Sequence, residues 1–269
     1  MEVHPLSAMR NSPGSIVPSV MAIGFFDGVH LAHRRVLERA KRIASQSGLP
    51  LSAMTFHPHP RQVIGSADET FSYITPPDEK MKRMRECGVE HLYWVEFDRS
   101  FAALSAEEYV RQYVVDNRVR HVVAGFDFKY GHRGEGDMNR LRAMGEGRFG
   151  VTVVPALSRW GEKISSTRIR EWISCGEMEL VPEYLGRAHE TTGNVLAAAG
   201  GLLTVELADA FILPPPGRYE IDLYGECSGL LSASAELTAD RMLAVRADAA
   251  DDRRWMDRPA RAVWKRRLP

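Results

Sequence analysis

The stretch Gly24-Phe25-Phe26-Asp27-Gly28-Val29-His30-Leu31-Ala32-His33 decides the fold, because it hands a short apolar run, Val20 to Ile23, over to an amphipathic segment, Leu31 to Ser47. Such a run predicts a buried strand, and the 3.6-residue periodicity after it predicts a helix. In that segment Val36, Leu37, Ala40, Ile43 and Ala44 share one face, leaving Arg34, Arg35, Arg39 and Arg42 mostly outward as a solvated basic face. His30 and His33 stand three residues apart at the junction, so a helix directs both imidazoles to one side. A helix N-terminus offers unpaired N–H groups and the positive end of its dipole, which suits an anion such as a nucleotide phosphate. A lone histidine there would more simply cap the helix or fill a satisfied pocket. A pair directly after Phe26-Asp27-Gly28 points to function.

Outward from this junction the same alternation repeats. Leu51 to Phe56 precedes Pro76 to Cys87, Leu92 to Phe97 precedes Ala106 to Asn117, Val122 to Phe126 precedes Asp137 to Met144, and Val151 to Pro155 precedes Thr167 to Ser174. Strand and helix in turn predict an α/β fold with a Rossmann-like parallel sheet covered on both faces. Ser105-Ala106-Glu107-Glu108 has the spacing of a capping box, and Thr75-Pro76-Pro77-Asp78 sets prolines where a first helical turn accepts them. After Gly186 the readable segments become short: Asn194 to Ala197, Leu203 to Leu207, Arg218 to Leu223 and Met242 to Arg246. With Gly/Pro turns such as Pro214-Pro215-Pro216-Gly217 they predict a small antiparallel β-barrel or sandwich. The expected domains are therefore 1–186 and 187–269. The tail basic residues Arg258, Arg261, Lys265, Arg266 and Arg267 follow Asp248, Asp251, Asp252 and Asp257, which reads as a surface charge-pair network rather than a nucleic-acid arm.

A second polar cluster lies in Ile164-Ser165-Ser166-Thr167-Arg168-Ile169-Arg170, where three hydroxyls and two guanidiniums crowd another helix start. Arg170 stands where a capping box would want Glu or Gln, which leaves the hydroxyls for a ligand. The two clusters resemble the H-x-G-H and I-S-S-T-x-x-R motifs of the nucleotidylyltransferase superfamily. Between them, Thr55-Phe56-His57-Pro58-His59-Pro60 resembles the T-F-x-P-H-P motif of the flavin adenylyltransferases, and Gly125-Phe126-Asp127-Phe128-Lys129-Tyr130-Gly131 with Gly134, Gly136 and Asp137 resembles their G-x-D-F-x-F-G-x-x-x-x-G-D segment. The whole run from about residue 20 to 186 is similar to the FMN adenylyltransferase domain of bacterial bifunctional riboflavin kinase/FAD synthetases. Neither glycine spacing is that of a dinucleotide fingerprint or a Walker A loop.

The resemblance implies transfer of AMP from ATP to FMN, giving FAD and pyrophosphate. His30 and His33 would stabilise the transferring phosphate, while Ser166, Thr167 and Arg170, with Ser165 beside them, would hold the triphosphate from its other end. Gly24, Phe25, Phe26, Asp27 and Gly28, together with Pro58, His59 and Pro60 and with Asp127, Phe128 and Gly131, would line the nucleotide and flavin sides. Mg2+ would arrive with ATP, held by its phosphates and water, since no carboxylate cluster announces a protein metal site. The chain departs from the pattern at Ala32, where Gly is usual, at Phe25, where relatives often carry Asn, and at His57, where an acidic or amide residue is common. In the barrel, Gly201-Leu202-Leu203-Thr204-Val205-Glu206 is the nearest counterpart of the kinase motif G-F-P-T-A-N; it keeps the Thr, but Leu203 and Glu206 replace the Pro and Asn. Riboflavin kinase activity is expected to be absent. Two other readings stay open: a nucleotidylyltransferase with a different phosphate acceptor, and a non-catalytic flavin or nucleotide binder.

Bulk properties are compatible with this reading. Lys+Arg and Asp+Glu both number 35 in 269 residues, so no net field recruits nucleic acid or an acidic membrane. Cys87, Cys175 and Cys227 are far apart with no C-x-x-C spacing, which argues against a disulfide framework and suits a cytoplasmic setting. No secretory segment and no apolar span of membrane length is evident. The sequence leaves the oligomeric state open.

Overall fold

A computed structural model describes residues 1–7, 17–65, 71–225, 229–246 and 254–269. The chain divides into two compact units, Met1–Phe71 with Pro77–Lys163, and Ser72–Pro76 with Ile164–Pro269.

The first unit is built on six parallel strands, β1 (Glu2–Leu6), β2 (Ser19–Ile23), β3 (Leu51–His57), β4 (His91–Glu96), β5 (Val119–Gly125) and β6 (Gly150–Val154), in the order β1-β4-β3-β2-β5-β6. Its helices are α1 (Leu31–Ser47), α2 (Pro60–Ile64), α3 (Pro77–Glu86), α4 (Arg99–Ala102), α5 (Ala106–Tyr109, continued by wider turns over Val110–Val115) and α6 (Met138–Gly145). A two-stranded ribbon follows, β7 (Ser158–Arg159) with β8 (Glu162–Lys163). All five residues of β2 are buried, because helices cover both sheet faces: Val20 and Ala22 pack with Leu37 and Ala40 of α1, and Met21 and Ile23 pack with Tyr109 and Val114. A strand buried on both faces must be apolar throughout, which is why it reads as a run rather than an alternation. Each large side chain removed from water there contributes about 1.5–3 kcal/mol. Helix α1 ends at Gly48 in the left-handed region, where a residue without Cβ closes the last turn.

Strand order sets the site's position. From β2 the chain steps outward through β3 to β4, then crosses back so that β5 lies on the other side of β2. The crevice at the carboxyl ends of β2 and β5 is therefore the switch point at which open α/β sheets bind ligands. Edge strand β1 has no counterpart in the sequence reading.

The second unit holds α7 (Ser166–Cys175), α8 (Val181–Leu185) and a closed antiparallel barrel of six strands. These are β9 (His189–Ala199), β10 (Leu202–Leu207), β11 (Gly217–Gly225), β12 (Gly229–Leu237), β13 (Met242–Arg246) and β14 (Pro259–Arg267), in the order β10-β13-β12-β11-β14-β9. The four short strands read from sequence fall within β9, β10, β11 and β13; β12 and β14 are additional. In β14 Ala260, Ala262 and Trp264 are buried, and Trp264 donates through its indole nitrogen to Thr191 Oγ1 at 3.0 Å. The basic residues pair with Glu190, Asp222 and Glu220: Arg261–Glu190 at 3.1 Å, Lys265–Asp222 at 2.6 Å and Arg266–Glu220 at 2.6 Å. Asp248, Asp251, Asp252 and Cys227 lie outside the described residues. The five-residue piece Ser72–Pro76 is tied into this unit: Tyr73 bridges Phe211, receives a hydrogen bond from Ile212 N–H at 2.9 Å and donates its own N–H to Ala210 O at 2.6 Å. The expected boundary near 187 falls just before β9, whereas the compact units part between Lys163 and Ile164, which groups α7 and α8 with the barrel.

Candidate active site

In the first unit the turn from β2 into α1 departs from relaxed backbone. Phe26 (φ 56°), Gly28 (φ 88°) and Val29 (φ 42°) all have positive φ, and for a β-branched residue this is an outlier that the surroundings must enforce. Phe26 and Val29 are fully buried, and a Cβ on Gly24 would stand 3.1 Å from the Phe26 ring. Packing thus fixes the turn from inside. Asp27, 2% exposed, is buried with them.

His30 is the N-cap of α1: its Nδ1 accepts from His33 N–H at 3.3 Å, and the ring is 3% exposed. The His30 and His33 rings stack with centroids 3.6 Å apart and planes 13° from parallel, and Phe26 meets His33 edge-on at 5.2 Å. The sequence-predicted pair is therefore one stacked unit. Burial, then the neighbouring His30, Lys80 and Lys163, hold His33 well below the ordinary imidazole value, so it is neutral at neutral pH. Its Nδ1 is buried with no hydrogen-bond partner.

Phe25 is the link to the second predicted loop. Its carbonyl accepts from Thr55 Oγ1 at 2.8 Å and from Lys80 Nζ at 3.0 Å, and its ring meets the His59 ring edge-on at 4.4 Å. His59 lies stacked on Phe71 at 3.8 Å and caps α2 by accepting from Arg61 N–H at 3.1 Å; Pro60 takes the first helical position. His57, half-buried at the end of β3 before Pro58, is lowered by burial and then by Lys80.

Lys80 was missed in the sequence. It sits in Asp78-Glu79-Lys80-Met81-Lys82-Arg83, which reads as a solvated charged face, yet it is 0% exposed. Its ammonium lies 4.2 Å from the Phe25 ring centroid and 5.3 Å from that of Trp94, and 3.4 Å from Thr55 Oγ1. Burial pushes it down to about 8, with the Asp27 charge pulling the other way. Only the period of α3, with Met84 buried one turn on, hinted that this position faces inward.

After β5, Asp127 is exposed and pairs with Lys163, whose ammonium lies 4.9 Å from the Phe126 ring centroid. Phe128 packs partly on the core, and Gly131 (φ 75°) approaches the start of α5 so closely that a Cβ would stand 2.8 Å from Ala106 N. The loop's glycine is thus required by packing, and Asp137 caps α6.

In the second unit Ser165 caps α7, accepting from Arg168 N–H at 3.3 Å, so the helix begins at Ser166, one residue earlier than expected. Thr167 is exposed and Ser166 half-buried. Arg170 donates to Ser72 O at 2.7 Å, while Arg168 pairs with Glu171 at 2.9 Å and leans on Trp172. Ile164, Ile169 and Ile173 carry the buried side of this segment.

A family model described as FAD synthetase matches residues 14–168. The chain belongs to the FAD synthetase family. Within that match fall the stacked histidines, the Thr55–Pro60 and Gly125–Gly131 loops and Lys80. Across 210 residues the chain is 41% identical to the bifunctional riboflavin kinase/FMN adenylyltransferase of Bacillus subtilis, over 76% of this chain and 66% of that protein, just under two thirds of its length. It is 32% identical to the FAD synthetase of Listeria monocytogenes, over 89% of this chain and 93% of that one. A crystal structure titled as a macrolide-efflux protein from Streptococcus pneumoniae superposes with a TM-score of 0.88 at 26% identity, covering 100% of this chain and 91% of that one. Among the described residues of this FAD synthetase family member, no helix is long and apolar enough to cross a membrane.

Proposed function

We propose that this protein is an FMN adenylyltransferase: an FMN phosphate oxygen attacks the α-phosphorus of ATP, the bond to the β-phosphate oxygen breaks, and FAD and pyrophosphate leave. The observation that carries the reading is the buried, stacked His30–His33 pair at the switch point of an FAD synthetase-family sheet. Such a transfer needs alignment and stabilisation of charge rather than a covalent intermediate. His33, neutral and only partly buried as a residue, would donate a ring N–H to a phosphate oxygen from its accessible edge; His30 fixes its orientation by stacking and capping.

Ser165, Ser166, Thr167 and Arg170 are assigned to the β- and γ-phosphates on the I-S-S-T-x-x-R pattern. Gly24 to Gly28, Pro58 to Pro60, Asp127, Phe128 and Gly131 are assigned to the nucleotide and flavin sides. Lys80 is a positioning residue, holding the Phe25 carbonyl and Thr55 in place and adding positive charge beside the histidines. Next to the pair, Asp127 is engaged by Lys163 and Asp27 is buried, a donor set suited to Mg2+ carried on ATP and water rather than caged by protein. When bound, Mg2+ would neutralise phosphate charge.

Residues 1–186 form the adenylyltransferase part of this reading, in a cytoplasmic protein acting on small molecules, with no nucleic-acid or membrane partner. The barrel lacks riboflavin kinase activity: Leu203 and Val205 are buried in its core, and Thr204 and Glu206 share the opposite face of β10, with no Pro or Asn. The test is pyrophosphate release from ATP across FMN, nicotinate mononucleotide, phosphopantetheine and an alcohol phosphate. Release with FMN alone is expected. Release with another acceptor alone would move the protein to a different nucleotidylyltransferase reaction, and tight FMN binding without release would make it a sensor. Riboflavin, ATP and Mg2+ should yield no FMN.

A further inference from the structure

We propose that Glu2, His4 and His91 bind a divalent cation of the zinc class at the amino-terminal end of the parallel sheet, away from the ligand loops at its carboxyl end. In the β1–β4 pairing Glu2 stands opposite His91 and His4 opposite Tyr93. Residues two apart on a strand share a face, so all four side chains emerge on the same side of the sheet.

Three ligand atoms converge there. His4 Nε2 and His91 Nδ1 are 3.1 Å apart, His91 Nδ1 and Glu2 Oε2 3.5 Å, and His4 Nε2 and Glu2 Oε2 3.9 Å. Tetrahedral zinc with bonds of about 2.0–2.2 Å sets its ligand atoms about 3.3–3.6 Å from one another. The triangle brackets that edge length and needs adjustments of a few tenths of an ångström. Among the described residues this is the one group of three metal-ligating side chains gathered so closely.

The donor chemistry selects the cation. Two imidazoles and one carboxylate suit Zn2+, Co2+ or Ni2+, whereas Mg2+ and Ca2+ want oxygen ligands throughout, so this is not a site for the magnesium that accompanies ATP. Both rings are half-buried and Glu2 is exposed, which leaves a fourth coordination position open to water. His4 is held by its stack on Tyr93, with centroids 5.1 Å apart and planes 25° from parallel, so one ligand is oriented before the ion arrives. Without metal the two rings share a hydrogen bond, one donating to the other; the ion replaces that proton and bridges the edge strand to β4.

The test is calorimetric titration of the full chain, stripped with chelator and free of ATP, with ZnCl2 and in parallel with CoCl2. One equivalent should bind, Co2+ should give the visible absorption of a tetrahedral site, and Zn2+ should raise Tm. The His4→Ala/His91→Ala double variant should lose this binding and the Tm rise, while Glu2→Gln weakens it. Even outer partners of metal ligands cost about 10–100-fold, so the double variant should weaken binding by at least about 100-fold. FMN adenylylation by the double variant with Mg2+ and its far-UV spectrum, both unchanged, would certify its fold. A Zn2+ affinity unaltered in a folded double variant, or no saturable binding by the parent protein, overturns the proposal.

Discussion

The two helix starts proposed to meet phosphate are built in opposite ways. At α1 the cap is an imidazole, 3% exposed, stacked on a second ring and reached through three residues of positive φ. At α7 the cap is a serine hydroxyl on extended backbone (φ −150°), with the next hydroxyl half-buried and Thr167 exposed. Each residue held in a sparsely populated region costs about 1–3 kcal/mol, which the core around Phe26 and Val29 has to offset. A turn kept in that state holds its rings in one arrangement before any ligand arrives. On the proposed reaction, the first start would be the one preorganised for charge that develops during transfer, and the second would meet phosphates that are charged throughout.

Four experiments can sharpen or break this contrast. The largest effect is expected for His30→Ala, which removes the cap and the stacking partner of His33: FMN adenylylation turnover should fall by about 100- to 1,000-fold, the scale of losing one preorganised transition-state donor. Turnover within a few-fold of the parent would remove His30 from the chemistry.

Next comes Lys80. With a folded value near 8 against an unfolded value near 10.5, the unfolded chain binds the extra proton between those pH values, so stability should rise as pH increases through that window. Urea unfolding of the parent minus Lys80→Met should show a gain on the order of 3 kcal/mol between pH 7.5 and 10.5. A flat difference would mean that the ammonium is solvated.

His33 makes the same argument at lower pH. Its folded value lies below the unfolded one of 6.5, so its contribution is complete above pH 6.5 and is lost as pH falls through the region beneath. The parent should lose stability relative to His33→Gln on acidification from pH 7 to 5, read by the same denaturant midpoints. Smallest is Ser165→Ala, where loss of a serine cap should cost about 1 kcal/mol of unfolding free energy. If it instead costs as much as His30→Ala in turnover, the two starts are not different in kind.

Most of the first unit was legible because its signals are local. Strands buried on both faces read as apolar runs, and Leu37 and Ala40 mark the helix by spacing. The histidine pair was legible as a spacing, but a shared helical face is not what joins the rings: His30 caps the helix from extended backbone and stacks on His33 from there. Other features depend on partners distant in sequence. Lys80 lies in a charged segment and becomes buried only because Phe25 and Thr55 meet it. Strand β1 spans five residues including Pro5 and gains its place by pairing with His91 to Val95. In β14 the alternation of Ala260, Ala262 and Trp264 was present, but Arg261 among them and Lys265 and Arg266 after them made it read as a charged tail. At Thr167 an Arg170 in place of Glu or Gln suggested uncommitted hydroxyls, whereas the cap is Ser165, which accepts from Arg168 N–H with no such partner.

The strip Ser72–Pro76 has a practical consequence for anyone dissecting this molecule. Because Tyr73 is laced to Ala210 and Ile212, and Ser72 to Arg170, the barrel-bearing unit is discontinuous along the polypeptide. Severing the chain once, whether after Lys163 or after Gly186, would strand those five residues on the wrong fragment. Recombination that swaps this module between relatives would need to carry the strip along with it.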